Sequence, residues 1–249
     1  MKKTNAIVCY YQEKYGSILD IALNRHKKYA NKCRCDFIGV ILSEQSTDPQ
    51  MDKFFHISES LSGYNRYLIF DIDILIRQDS PNLFEIVNEN KVAIYNEGAT
   101  FLTNKYHETH EILVRWHSVN DLVKTCKLEP CNHSKIYGIG MPFVYYNSGV
   151  VMFGGENKNL YKGFNESQKK LLYGCFKDVQ CSEQALVNYC ILNKSPDVHS
   201  LPVCFNQMSY NRCSDYLNTC YFSHYAGMSL SDKTEQMIKD HKHWEQKGL

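Results

Sequence analysis

The run Tyr67–Ile76, YLIFDIDILI, constrains this chain more than any other segment. Apart from its two acids it is entirely apolar or aromatic. Such a run reads as a strand buried on both faces, which belongs in a parallel sheet covered by helices. Side chains alternate along a strand, so Asp71 and Asp73 point the same way and Ile72 points into the core. Two carboxylates on one side of a buried strand repel each other and lose their hydration. A hard divalent cation, Mn²⁺ or Mg²⁺, resolves that conflict, because it takes carboxylate oxygens and leaves positions open for phosphate oxygens and water. The alternative is a strand end with solvent around both acids.

The neighbouring segments extend the pattern. Ala6–Tyr11 and Asp36–Leu42 read as further strands. Between them, Ser17 caps a helix through Tyr29, with Ile18, Ile21, Ala22, Arg25 and Tyr29 on one face. Val92–Tyr95 is a shorter strand. Strand, helix and strand at this spacing imply parallel pairing, hence an α/β fold with a mostly parallel central sheet flanked by helices. Asn96–Tyr137 is polar with one helical pattern (Leu113, Trp116, Val119, Val123) and reads as an insertion or lid. Met141–Phe153 returns to strand character, and Ser182 opens a helix. Short strands follow around Val198–Cys204 and Thr219–Tyr225, and Asp232–Leu249 is a polar helix or a frayed end. With 249 residues and no Pro/Gly/Ser linker, the chain suits one domain.

Charge and cysteines bound the function. Lys+Arg is 28 against Asp+Glu 27, which leaves no basic field to attract nucleic acid. No apolar run approaches the length of a membrane span. No signal peptide precedes the first strand, so a cytoplasmic location, or a peripheral one at a membrane, is expected and the eleven cysteines should stay reduced. Cys33-Arg34-Cys35 is too tight for a zinc knuckle, and Cys126, Cys131 and His133 lack a fourth ligand at finger spacing.

Three further motifs carry chemistry. Tyr146-Asn147-Ser148-Gly149-Val150 lies between apolar runs: it is either a hairpin turn or a strand edge where a ligand lies against Gly149. Glu183 and Gln184 open a helix. Glu183 complements the helix dipole there, or the carboxylate and amide together bind sugar hydroxyls. His224 in His224-Tyr225-Ala226-Gly227 is either a structural histidine or a neutral imidazole that completes a shell with Asp71 and Asp73.

In this order and at these distances, the motifs resemble those of glycosyltransferase family 8, the glycogenin-like and lipopolysaccharide galactosyltransferase-like enzymes of the GT-A fold. The resemblance is carried by Asp71/Asp73, Asn147-Ser148-Gly149, Glu183-Gln184, Leu201-Pro202 with Asn206, and His224–Gly227, and it extends from residue 6 to about 230. It implies a Rossmann-like GT-A domain over 1–249, with 96–140 as the acceptor-side insertion or lid and 232–249 as a C-terminal tail. It also implies a metal-dependent transferase that moves a hexose or related sugar from a nucleotide-sugar donor, UDP-linked, to a glycan or other acceptor, with retention. Asp71, Asp73 and His224 would hold Mn²⁺ or Mg²⁺. Tyr15 would stack on uracil, with Tyr10, Ser148 and Gly227 also in the donor site. Asn147 and Gly149 would line the sugar side. Glu183 and Gln184 would contact donor hydroxyls, with Gln184 near the anomeric carbon.

The sequence departs from the family in four places. Glu183 stands for an aspartate, and Gln12-Glu13 for the first loop's aspartate. An arginine about 17 residues before the metal motif is missing. Met228-Ser229-Leu230 replaces the Lys-Pro-Trp whose lysine contacts the diphosphate, leaving Lys233 either as its substitute or as a solvated helix residue. Two other readings are a non-catalytic nucleotide-sugar-binding module and a haloacid dehalogenase-type phosphatase. The latter's Asp-x-Asp normally lies near the N-terminus and is followed by Thr.

Overall fold

The computed structural model describes residues 5–46, 48–98, 124, 144–154, 157, 160–175, 182–194 and 196–249. The expected lid at 96–140 lies largely outside them, as do Cys126, Cys131 and His133. The main sheet is built from β1 (Ala6–Tyr11), β2 (Asp36–Ile41), β3 (Arg66–Asp71), β5 (Val92–Asn96), β6 (Tyr146–Gly154) and β7 (Val198–Leu201), in the order β2-β1-β3-β6-β5-β7. β1 pairs parallel with β2 and β3, and β5 parallel with β7, while β6 runs antiparallel to both of its neighbours. This is the expected α/β architecture with a mostly parallel sheet.

Both faces of the sheet are covered, which is why its strands are continuously apolar. Val8, Ile69, Ile94 and Val151 face one cluster, and Ile7, Leu68, Ala93 and Met152 face the other. Helices α2 (Pro49–Ser60) and α5 (Ser182–Lys194) pack on the first face. On the other side lies α1 (Ser17–Lys32). Its cap is Gly16 with no side-chain bond, so Ser17 is the first helical residue and not the cap expected.

The segment Tyr67–Ile76 is not one strand. β3 ends at Asp71, Ile72 and Asp73 form a turn, and β4 (Ile74–Ile76) joins a second sheet, β4-β9-β8, with β8 (Gln207–Met208) and β9 (Phe222–His224). Apolar pattern reports burial, and Ile74–Ile76 are as buried as β3. It does not report which sheet receives the strand. Other boundaries shift as well: β7 stops at Leu201, and the segment before Phe222 is helical over Tyr216–Thr219.

The C-terminal segment is an ordered helix, Leu230–Lys247, the last in the chain and called αC below. Its mean composition is polar, but Met237, Asp240 and Trp244 are buried where it packs against α1. Asp240 Oδ2 accepts hydrogen bonds from Tyr216 and Tyr225. No helix among the described residues is long and apolar enough to cross a membrane.

One buried histidine ties α1 to the Asp71–Asp73 turn. His26 Nε2 donates to the Ile74 carbonyl at 2.8 Å, so Nε2 carries a proton, and Nδ1 is buried without a partner among the described residues. Burial lowers its pKa from 6.5 to about 4. Between those values the unfolded chain binds a proton that the folded chain refuses, so this contribution is present above pH 6.5 and lost as pH falls towards 4. We expect stability to fall by up to about 3 kcal/mol from this group over that interval. His26→Gln keeps a donor for Ile74, so urea unfolding at a series of pH values should show a flatter profile for the variant. Parallel profiles for both proteins would remove His26 from the account.

Candidate active site

A cavity of about 650 Å³ opens at the carboxyl ends of β1 and β3, where open α/β sheets place their ligands. Register brings its groups together. Tyr10 pairs with Asp71 across β1 and β3. Ile74 pairs with His224 across β4 and β9, and Tyr225 N donates to the Asp73 carbonyl at 3.0 Å. The turn at Ile72–Asp73 therefore carries Asp73 beside His224. The two carboxylates meet through this turn and not through strand alternation.

Each carboxylate gives one oxygen to a lysine and turns the other towards His224. Asp71 Oδ1 accepts from Lys53 Nζ at 2.6 Å, and Asp71 Oδ2 lies 3.8 Å from His224 Nε2. Asp73 Oδ2 accepts from Lys233 Nζ at 2.5 Å, and Asp73 Oδ1 lies 3.4 Å from His224 Nε2. Burial opposes ionisation of Asp73, yet the Lys233 ammonium, and His224 in its protonated form, hold its carboxyl well below the ordinary range. Burial likewise opposes the charge on Lys53, but Asp71 and Glu183 hold the ammonium protonated far above its usual pKa.

Ligand atoms from Asp71, Asp73 and His224 lie within 4.8 Å of one another. Two carboxylate oxygens and one imidazole nitrogen, turned to a common point, form a donor set that can hold a divalent cation. The lysines grip the opposite oxygens and orient the acids without blocking that point. Orienting bonds of this kind belong to working metal sites.

No sequence motif singles out Lys53. It stands on α2, 18 residues before Asp71, close to where the family's arginine is missing. The helix that carries it does have a start signal: Asp48 accepts from Gln50 N and Met51 N, and Pro49 occupies the first turn. Lys53 also bonds Glu183 Oε1 at 2.7 Å. Glu183 is therefore engaged by a buried cation and is not simply an acid in the helix's first turn. Burial pushes its carboxyl up, against the pull of Lys53. Lys233 is buried, so the solvated alternative does not hold.

The other predicted groups fall around the same cavity. Tyr10 and Tyr15 line one part, and burial and Asp73 push the Tyr15 phenol up to about 12. Asn147, Ser148 and Gln184 line another, and Gly227 sits nearby at φ 76°, a conformation that suits glycine. Asn188 on α5 pins the start of β6: its Oδ1 accepts from Tyr146 N and its Nδ2 donates to Tyr146 O, both at 2.8 Å. That docking sets Gln184 against Asn147, at 3.1 Å. Glu97, just beyond β5, joins the site without any motif to announce it: it accepts from Tyr210 Oη, and from Gln184 Nε2 at 3.2 Å.

Gly149 decides between turn and strand. It lies inside β6, not in a hairpin turn, and what presses against it is the His224 ring. A Cβ at 149 would stand 2.3 Å from His224 Cε1.

No family model matches the sequence, and no curated protein matches it. Solved structures do. One is a glycosyltransferase involved in glycosylation of the major capsid of PBCV-1, 12% identical, with a TM-score of 0.57 over 95% of this chain and 99% of that one. Another is the galactosyltransferase LgtC in complex with donor and acceptor sugar analogues, 14% identical, with a TM-score of 0.52 over 94% of this chain and 95% of that one. The chain has their fold, the GT-A fold of nucleotide-sugar transferases.

A methyl group at 149 should displace the imidazole from the carboxylates. We expect Gly149→Ala to fold, since φ at 149 is not positive, and to bind Mn²⁺ about 10–100-fold more weakly. Titration of free Mn²⁺ by electron paramagnetic resonance checks this, and unchanged affinity would contradict the described packing.

Proposed function

We propose that the chain is a single-domain, metal-dependent glycosyltransferase. It moves a hexose or related sugar from a UDP-linked donor to a hydroxyl of a glycan or other acceptor, with retention. The observation that carries this reading is the facing of Asp71 Oδ2, Asp73 Oδ1 and His224 Nε2 in a cavity that also presents Tyr15, Asn147 and Gln184. The fold supports it, and so does the binding of donor and acceptor sugar analogues by LgtC.

In this reading Asp71, Asp73 and His224 hold Mn²⁺ or Mg²⁺, which stabilises the negative charge that develops on the departing diphosphate as a Lewis acid. Every other task falls to the chain. Tyr15, in the short 3₁₀ turn Glu13–Tyr15 after β1, stacks on the uracil and fixes the nucleotide. Tyr10 and Gly227 line the donor's path, and Ser148 and Gly149 lie on the strand along its sugar side. Asn147 and Gln184 hydrogen-bond sugar hydroxyls, holding the anomeric carbon in one orientation as it becomes oxocarbenium-like. Lys53 keeps Glu183 and Asp71 in fixed positions. Lys233 stands at the cavity wall with its ammonium on Asp73 and supplies a second cation beside the diphosphate, in place of the family's lysine.

The deciding experiment incubates the purified protein with a panel of nucleotide sugars and Mn²⁺ and measures the free nucleoside diphosphate released. Release that depends on the donor and the metal supports the reading. Donor binding without release indicates a binding module, and release of inorganic phosphate indicates a phosphatase.

Two variants sharpen it. Asp73→Asn removes a charged ligand, and turnover should fall by orders of magnitude while the circular dichroism spectrum is kept; full activity of this variant in a chelator would exclude the metal assignment. Tyr15→Ala should weaken UDP binding by about 1–3 kcal/mol, as loss of an aromatic platform does at nucleic-acid sites, whereas Tyr15→Phe should be mild. Equal calorimetric affinities for Tyr15→Ala and the unmodified protein would remove the stacking role.

A further inference from the structure

His224 has two ring nitrogens, and the sequence does not say which carries the proton. The structure does, through a chain of hydrogen bonds that starts at a group unable to reverse its polarity. The backbone N–H of Gly149 donates to a side-chain atom of Asn147 at 3.0 Å. A peptide N–H can only donate, so that atom is the oxygen, Oδ1. The same Oδ1 faces Asn206 at 2.8 Å, so Asn206 presents its amide nitrogen there. Asn206 must then turn its own oxygen to His224 Nδ1, 2.9 Å away. An oxygen facing a ring nitrogen requires a proton on that nitrogen. The proton of the neutral ring therefore sits on Nδ1, and the Nε2 lone pair points at the two aspartates.

The chain also runs the other way. With Oδ1 of Asn147 committed, its amide nitrogen faces Gln184 Oε1 at 3.1 Å and Glu97 Oε2 at 3.4 Å. Gln184 Oε1 is thereby an acceptor, and its Nε2 donates to Glu97 Oε2. Asn147, Asn206, Gln184 and His224 are all buried, so water does not compete for these bonds. One backbone N–H on β6 sets the polarity of three amides and an imidazole.

We propose that Asn206 is a positioning residue: together with Asn147 it locks His224 in the Nδ1–H tautomer, with Nε2 presented as a lone pair between Asp71 and Asp73. The Asn206 contact holds this lone pair against the repulsion of the two carboxylates, and a cation between them relieves that repulsion. In that respect the inference rests on the metal-dependent reading above and deepens it. The alternative tautomer would satisfy the acids directly, with Nε2–H donating to Asp73, and would spoil the ligand set. Asn206 opposes it by facing Nδ1 with an acceptor oxygen.

The tautomer is read directly from ¹⁵N shifts of the labelled His224 ring. The measurement uses the full chain without metal or donor, at a pH high enough for the ring to be neutral. Protonated Nδ1 with bare Nε2 is expected, and protonated Nε2 would overturn the proposal. Because neither donor nor turnover enters this measurement, its failure is distinguishable from failure of the glycosyltransferase reading. The companion test is Mn²⁺ affinity by electron paramagnetic resonance. Asn206→Leu removes the acceptor and should weaken binding about 10–100-fold, with the ring shifting towards Nε2–H. Asn206→Asp keeps an oxygen for Nδ1–H, and its second oxygen, once protonated, still donates to Asn147 Oδ1; it should bind Mn²⁺ more tightly than Asn206→Leu, which a merely structural role for the amide would not produce. If Asn206→Leu folds and binds Mn²⁺ as tightly as the unmodified chain, the proposal is wrong. If it does not fold, the ring shifts of the unmodified chain decide the matter.

Discussion

Two carboxylates within a few ångströms of each other, one of them buried, are the arrangement around which the rest of this structure is organised. Left alone, Asp71 and Asp73 would repel each other and the more buried one would take up a proton. Two ammonium groups prevent this, and they come from opposite directions: Lys53 from α2 and Lys233 from αC. Buried ion pairs of this kind contribute little to stability, because desolvation offsets much of the attraction. Their effect is geometric. Each lysine takes one oxygen and leaves its partner facing His224, so charge balance and ligand geometry are achieved by the same contacts.

β6 does the complementary work. It is the antiparallel strand in the sheet's interior, between β3 and β5, and three of its residues reach into the site by different means. Asn147 takes part with its amide and Ser148 with its position on the cavity wall. Gly149 takes part by lacking a side chain, which lets the His224 ring lie against the strand. The irregularity in pairing between Ile94 and Tyr95 falls opposite this stretch, where β5 shifts register to pair Tyr95 with Asn147. Such irregularities re-aim side chains next to active sites.

Much of the sheet was legible in the sequence because burial on two faces leaves unmistakable apolar runs, as in Ala6–Tyr11 and the first half of Tyr67–Ile76. The break after Asp71 was not, because Ile74–Ile76 are equally buried in a second sheet and composition carries no record of the change of partner. Of the residues that the family resemblance singled out, Tyr10, Tyr15, Asp71, Asp73, Asn147, Ser148, Glu183, Gln184, His224 and Gly227 line one cavity, whereas Gly149, Leu201 and Pro202 are not on its wall. Lys53 stayed hidden for a general reason: a lysine is expected on the surface. The one local cue, the Asp48-Pro49 helix start, locates a helix without marking which of its residues turns inward. Glu97 had no motif around it at all. The purpose of Gly149 could not be read locally either, since the ring that needs the space belongs to a strand far downstream.

The two counter-ions differ in how far they lie from their acids along the chain. Lys53 is 18 residues from Asp71, whereas Lys233 is 160 residues from Asp73. Chains emerge from the ribosome amino end first and begin to fold as they emerge. The first acid therefore meets its cation while synthesis is under way, and the second waits until αC has been made. Until then the nascent sheet carries an uncompensated carboxylate at the turn after β3, along with an α1 surface that awaits Trp244. The charge balance around the cavity is thus completed only once αC has been made, long after the sheet that carries the two acids.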